Sequence, residues 1–224
     1  MNSYVAIIGD IVDSRKIENR NAIQKKLKKL LDEINQKYTL DIAADFSITL
    51  GDEFQGLLKN QKNIIDIVNY IQINMLPINI RFGIGVGSVY TDINYKLSYE
   101  NDGPAYHKAR RMIEDLDSLK KQYSEAISYV KIESDCENNV DMLVNSIFSL
   151  CTAIKSKWTD VQVETIKAYI VNDENQYKTA EYLNKGQPSI SKNLKKAEYY
   201  SYRNALNEVA KYLRAKVEID NVII

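Results

Sequence analysis

The 224-residue chain has little cysteine, and what it has is not arranged for a framework. Cys136 and Cys151 lack Cys or His neighbours at metal-ligand spacing and sit in one helical region. A zinc site and a disulfide scaffold are therefore excluded, and both read as buried or incidental thiols. Net charge is also missing, since 30 Lys and Arg balance 30 Asp and Glu. Global charge thus points to no polyanionic partner, and any nucleic-acid surface has to be local. No apolar run approaches the roughly 18–20 residues that cross a bilayer, and Met1 leads into a strand pattern rather than a basic leader. A cytoplasmic protein with no membrane partner is expected. What is present, 45% hydrophobic and 27% charged residues, suits a soluble globular chain of one large or two modest domains. Disordered and fibrous classes are excluded.

Alternating elements run along the chain. Tyr4 to Ile11 is a nearly unbroken β-branched run, the mark of a central strand buried on both faces. Ile17, Ile23, Leu27, Leu30, Leu31 and Ile34 then recur at helical spacing with Lys or Arg opposite. Ala44 to Leu50 and Phe54 to Leu58 read as a hairpin joined by Gly51-Asp52, Asn63 to Met75 as a helix, and Ile80 to Tyr90 as a strand. Gly83, Gly85 and Gly87 fall on one side of that strand by its period of two, so something approaches the bare face closely. Gly103 and Pro104 open a helix to about Leu116, and Ile127 to Ile132 makes a last strand. The order β-α-β-β-α-β with additions predicts an antiparallel-containing sheet covered by helices.

Two Asp residues stand out, each following a Gly at the edge of an apolar run: Gly9-Asp10-Ile11 and Gly51-Asp52-Glu53. Carboxylates delivered by adjacent strands are what a divalent-metal phosphoryl-transfer site needs, with two hard cations about 3.5–4 Å apart. An unpaired Asp10 at the end of a buried strand would be costly or would take up a proton. With Asp52 beside it, repulsion raises one pKa unless a metal neutralises both. Asp13 and Glu53 read as auxiliary ligands or as solvated surface acids.

In this order the motifs resemble the palm-type catalytic domain of class III nucleotidyl cyclases over residues 5 to about 116. The resemblance implies that Asp10, through its carboxylate, and Ile11, through its carbonyl, hold a first metal and that Asp52 completes the pair, with Mg2+ or Mn2+ as the ion. It implies that Arg81-Phe82-Gly83-Ile84-Gly85-Val86-Gly87 backs the nucleotide, although the glycines equally suit relief of crowding under a helix. It places His107 and Arg111, in Gly103-Pro104-Ala105-Tyr106-His107-Lys108-Ala109-Arg110-Arg111-Met112, where a transition-state Asn and Arg meet a nucleoside triphosphate. The chain departs from the pattern at Ile48, where purine cyclases carry a base-reading Lys, and at His107, where they carry Asn. Arg110 and Arg111 also read as plain helix charges.

The last third differs in composition. Val140, Leu143, Val144, Ile147, Leu150, Cys151 and Ile154 form a connector helix ending near Lys157-Trp158. Thr159 N-caps the next segment, with Glu164 too far along for a capping box. Tyr177 to Leu183 is a short helix, Asn184-Lys185-Gly186-Gln187 a turn, and Pro188 the first residue of a helix to about Tyr200. This is a helix-turn-helix by spacing, and it resembles that of sigma-factor region four. Lys185 to Lys196 carries four lysines and no acid. Lys185, Gln187, Ser189, Ser191, Lys192, Asn193, Lys195 and Lys196 suit phosphates and base edges of DNA, or else the exposed face of a protein-docking module.

The whole layout resembles the SatD family. The expectation is an α+β, ferredoxin-like, nucleotidyl cyclase-like palm sheet with helices over residues 1–135. A helical connector follows over 136–157, and then an all-α helix-turn-helix domain over 158–224. That family resemblance does not settle an activity; the cyclase-like palm and the helix-turn-helix together lead to the expectation of a homodimeric bacterial DNA-binding regulator whose palm senses a nucleotide with metal, the alternative being an active nucleotidyl cyclase or nucleotidyltransferase.

Overall fold

The structure, a computed structural model, describes residues 3–135 and 139–222, without the side chains of Leu50 and residues 218–222. Cys136 lies outside the described residues. The elements run β1 (Tyr4–Ile11), α1 (Arg20–Lys37), β2 (Ile42–Leu50), β3 (Glu53–Leu58), α2 (Ile64–Met75), β4 (Ile80–Gly87), α3 (Pro104–Tyr123) and β5 (Val130–Glu133). Five helices follow: α4 (Val140–Lys155), α5 (Asp160–Val171), α6 (Gln176–Tyr182), α7 (Gln187–Lys196) and α8 (Tyr199–Val222). The sheet order is β2-β3-β1-β4-β5, with β5 parallel to β4 and every other pairing antiparallel. The chain is thus α+β, with the ferredoxin-like arrangement in its first four strands and α3–β5 appended.

Alternation along the strands sorts the core into two layers. Val5 and Ile7 of β1, Phe54 and Leu58 of β3, and Phe82, Ile84 and Val86 of β4 face α1 and α2 in one large cluster. Ala6, Ile8 and Leu57 face the other way and meet Ala105, Tyr106, Ala109 and Ile113 of α3. The small residues on this second face let α3 lie close. A Cβ at Gly83 would stand 2.1 Å from the Ala109 carbonyl oxygen, and one at Gly85 2.0 Å from that of Ala105. The helix α3 itself fills the bare face of β4.

At each edge of the sheet an asparagine amide pairs with one strand residue. Asn35 of α1 accepts from the Phe46 N–H of β2 at 2.8 Å and donates to its carbonyl at 2.9 Å. Asn145 of α4 does the same for Ile132 of β5, at 2.8 and 2.9 Å. Each amide stands in for a neighbouring strand's peptide group, so the donor and acceptor of that one edge residue are both satisfied.

The helices after residue 157 do not stand apart from the sheet. Ile166, Tyr169, Ile190, Leu194, Tyr199, Tyr202, Val209 and Leu213 belong to the same hydrophobic cluster as α1 and α2. Tyr202 donates to Asn69 Oδ1 at 2.8 Å, Lys167 to the Leu76 carbonyl at 2.9 Å, and Arg214 pairs with Asp66 at 2.7 Å. Trp158, placed by its sequence at a boundary, packs edge-on against Tyr202, ring centroids 5.0 Å apart, and donates to the Ala197 carbonyl at 2.7 Å.

Several boundaries differ from those the pattern implies. The strand β4 stops at Gly87, and α3 continues past Leu116 to Tyr123, where Ser124 turns left-handed at φ 57°. The apolar pattern of α3 runs out before its helix does. The expected helix from Pro188 to Tyr200 breaks at Glu198, φ 52°, into α7 and α8. A capping box does form at α5, through Gln162 rather than Glu164: Gln162 Oε1 accepts from the Thr159 N–H at 2.9 Å while Thr159 Oγ1 accepts from the Gln162 N–H at 3.4 Å.

Candidate functional site

The register places Asp10 of β1 directly between Glu53 of β3 and Arg81 of β4. All three side chains share the α3 face, where α3 brings Arg110 and Asp117 above them. Arg81 grips Asp10 with two bonds, Nε to Oδ1 at 2.9 Å and Nη2 to Oδ2 at 2.6 Å, and reaches Asp117 Oδ1 with Nη1 at 2.8 Å. Both partners of the Asp10 pair are mostly buried, at 15% and 18% exposure. Burial alone would weaken the Arg81 guanidinium's hold on its proton, but the bonds and charges of Asp10 and Asp117 push it the other way, well above the ordinary arginine range. Lys121 takes the other oxygen of Asp117 at 2.7 Å. Its hydrogen bond, followed by that of Arg81, holds that carboxyl below its usual value.

A second pair lies alongside. Arg110 forks onto Glu53, Nη2 to Oε1 at 2.7 Å, and this bond together with the nearby charge of Asp10 raises the Arg110 guanidinium. Asp52 sits in the hairpin turn after Gly51, whose φ of +64° only glycine adopts freely. The Asp52 carbonyl accepts from the Ile11 N–H at 3.3 Å, which ties the turn to the end of β1. Beyond it, Lys120 bonds Asp13 at 2.9 Å and lowers that carboxyl.

The remaining sequence-derived residues are distributed differently. On α3, Arg110 and Asp117, seven apart, face the Asp10 cluster, whereas His107, Arg111 and Asp115 lie on the neighbouring stripe. Arg111 pairs with Glu133 of β5 at 2.6 Å and is 54% exposed. His107 Nε2 lies 2.9 Å from Asp102 at the mouth of the helix. Asp10 and Arg111 of one chain are therefore not brought together. Gly83, Gly85 and Gly87 are covered by α3, which leaves no ligand space on that face. Ile48 packs into the α1–α2 core, on the opposite face of the sheet from Asp10.

Whether a cation suits this cluster turns on Asp10. The donor set is two carboxylates, and the one on Asp10 is already matched in charge and geometry by a guanidinium. A divalent ion here competes with Arg81. Among the described residues no group of three or more His, Cys, Asp or Glu side chains could hold a metal. Sequence reading missed the Arg81 and Arg110 contacts. The available signal was an arginine on the same period-two face as the glycines, which becomes informative only once β4 is paired with β1.

The C-terminal residues split into two sets. Lys185 pairs with Glu164 at 2.7 Å, Gln187 donates to Gln176 at 2.6 Å, and Asn193 donates to Thr165 at 3.1 Å, so these three brace neighbouring helices. Ser189, Lys192, Lys195 and Lys196 are exposed and Ser191 is half-buried, on a helix anchored by Ile190 and Leu194.

The family model of SatD matches residues 4–216. The chain belongs to the SatD family. No curated protein matches this SatD-family chain. Among solved structures it is similar to the guanylate cyclase domain of RhGC from Catenaria anguillulae in complex with GTP, with 23% identity, 50% of this chain and 71% of that one covered, and a TM-score of 0.32. It is also similar to the non-canonical dimeric guanylyl cyclase domain of the RhoGC fusion protein from the aquatic fungus Blastocladiella emersonii, with 19% identity, 50% and 72% covered, and a TM-score of 0.33. A bacterial light-regulated adenylyl cyclase matches at 12% identity over 70% and 81% of the two chains, with a TM-score of 0.37. Among the described residues no helix is long and apolar enough to cross a membrane.

Proposed function

We propose that this chain is a DNA-binding regulator whose sheet half is a nucleotide sensor. The observation that carries the reading is α7, which follows α6 through a tight turn, buries Ile190 and Leu194, and presents Ser189, Lys192, Lys195 and Lys196 outward with no acid on the helix. Such a helix suits the phosphates and base edges of a major groove. In this reading Asp10, Asp52 and the Ile11 carbonyl would hold Mg2+ or Mn2+, and Arg81 and Arg110 would meet the phosphates of a nucleotide. The bound ion would screen charge between the Asp carboxylates and the phosphates. Arg81 clamps Asp10 here, and it would have to turn to the phosphates for Asp10 to be free to hold a cation. The site and α7 lie on opposite sides of the sheet, so in this reading coupling between them would run from β4 through α2 and α8.

The test is DNA affinity as a function of salt. Replacing Lys192, Lys195 and Lys196 together by Gln should flatten the slope of log K against log salt by about 3 units and leave thermal unfolding unchanged. An unchanged slope would remove α7 from the DNA interface.

A second reading is favoured by one observation: His107 and Arg111 are turned away from their own chain's Asp10. A nucleotidyl cyclase site using all of them needs a second copy, with Asp10 and Asp52 from one protomer and His107 and Arg111 from its partner. If so, mixing Asp10→Asn with Arg111→Ala protein restores product formation that neither variant gives alone, and the absence of any product from wild type with ATP or GTP rejects it.

A further inference from the structure

On the sheet face away from Asp10, where α2, α4 and α8 meet, lies a cavity of about 20 Å3. That is room for about one particle of water or halide size, and too little for a phosphate. Its lining is mostly apolar, from Ile65, Val68, Val130, Phe148 and Leu206, and Lys155, Thr152 and Asn69 bring hydrogen-bond donors to it. Lys155, the last residue of α4, is only 7% exposed. Among the described residues no carboxylate or hydrogen-bond acceptor reaches its amine, and its nearest partner is the Tyr129 ring, with Nζ 5.5 Å from the centroid. Thr152 Oγ1 accepts from the Tyr129 N–H at 3.2 Å, which leaves the hydroxyl its own hydrogen to give. Asn69 Oδ1 accepts from Tyr202, which orients the amide and leaves Nδ2 as donor. The one amide oxygen still to be matched is that of Gln72, whose Nε2 donates to the Ile80 carbonyl at 3.4 Å.

We propose that this cavity is a binding site for a small monovalent anion of halide size, which serves as counter-ion to Lys155 and seats α8 against α2. A buried ammonium needs an opposite charge, and a ring face supplies only part of that. The groups facing Lys155 supply none of it: Cys151 on its own helix, Tyr129 ahead of β5, Tyr202 on α8, and the neutral Asn69 and Gln72 of α2. Burial pushes the Cys151 thiol up to about 11, so it offers no thiolate near neutrality, and it pushes the Lys155 amine down to about 7, so the ammonium forms there only as pH falls. The anion and a proton therefore enter together, and its binding strengthens as pH falls through about 7.

Thermal unfolding of the full chain in sodium chloride or bromide, against sodium gluconate at equal ionic strength, tests this. At about pH 6 the wild-type midpoint should rise by about 2–4 °C and saturate with halide, and at about pH 8.5 the rise should shrink. Lys155→Met should abolish the halide difference and Thr152→Val should weaken it. Equal midpoints in halide and gluconate at both pH values would overturn the proposal and leave water as the occupant. A halide effect that survives Lys155→Met would also overturn it. Should Lys155→Met fail to fold, anomalous diffraction from bromide-soaked wild-type crystals decides: a peak in the cavity supports the site, and peaks on the surface alone mean an adventitious ion only.

Discussion

Asp10 owes its neutralisation to a guanidinium seventy-one residues along the chain. The carboxylate itself was legible, because an Asp closing an apolar strand demands a partner. The partner was not, because it is a cross-strand neighbour and pairing has no signature in local periodicity. Removing one side of so buried a pair leaves the other unmatched, so Arg81→Met should lower the unfolding free energy in urea by about 3 kcal/mol. Adding Asp10→Asn should recover part of that loss, and a double-mutant cycle gives the coupling directly. Lys155 gives a second residue-scale prediction. Its amine titrates at about 7 in the fold against an ordinary 10.5, so above about 7 the unfolded chain holds the extra proton and stability climbs with pH. In gluconate buffer the wild type should gain up to about 1.4 kcal/mol per pH unit from about pH 7 to 8.5, and Lys155→Met should lack this gain. Above the ordinary thiol value of 9.0 the raised Cys151 works in the opposite sense, which sets the upper end of the useful window.

At the scale of elements, the period-two glycines of β4 were the clearest mark in the sequence, and the element they admit is α3. Gly85→Ala puts a methyl group 2.0 Å from one α3 carbonyl oxygen and 2.5 Å from the Ala109 nitrogen. Backbone atoms cannot swing aside, so the helix must lift, at a cost of about 2 kcal/mol or more by chemical denaturation. Lifting α3 also withdraws Arg110 and Asp117 from the Asp10 cluster, so if the proposed sensor role holds, any nucleotide-induced rise in the unfolding midpoint should fall together with stability in this variant. Helix ends were less legible than helix existence. The charged tail of α3 stays helical without an apolar stripe to announce it, and the cap of α5 rests on a Gln three residues after Thr159. Thr159→Ala should cost about 1 kcal/mol, and an urea titration of the full chain would register it.

For the molecule as a whole, composition and motif order suggest a palm, a connector and a helix-turn-helix in succession, and the structure has an α+β sheet portion followed by five helices. What linear order could not convey is that α2 lends its outer side to α5 and α8, so one hydrophobic cluster runs from β1 to Leu213. Scanning calorimetry should therefore show one transition, with calorimetric and van't Hoff enthalpies equal. Two resolved transitions would mean that the halves unfold separately. The asparagines at the two sheet edges bear on the molecule's life in a crowded solution. Asn35 and Asn145 each occupy the peptide groups of one edge residue, Phe46 of β2 and Ile132 of β5, so a stray extended segment that adds to either edge meets a plugged position. Growth of the sheet by strand addition is thereby interrupted at one residue on each side, which favours the surfaces of the helices as the place where this molecule meets others.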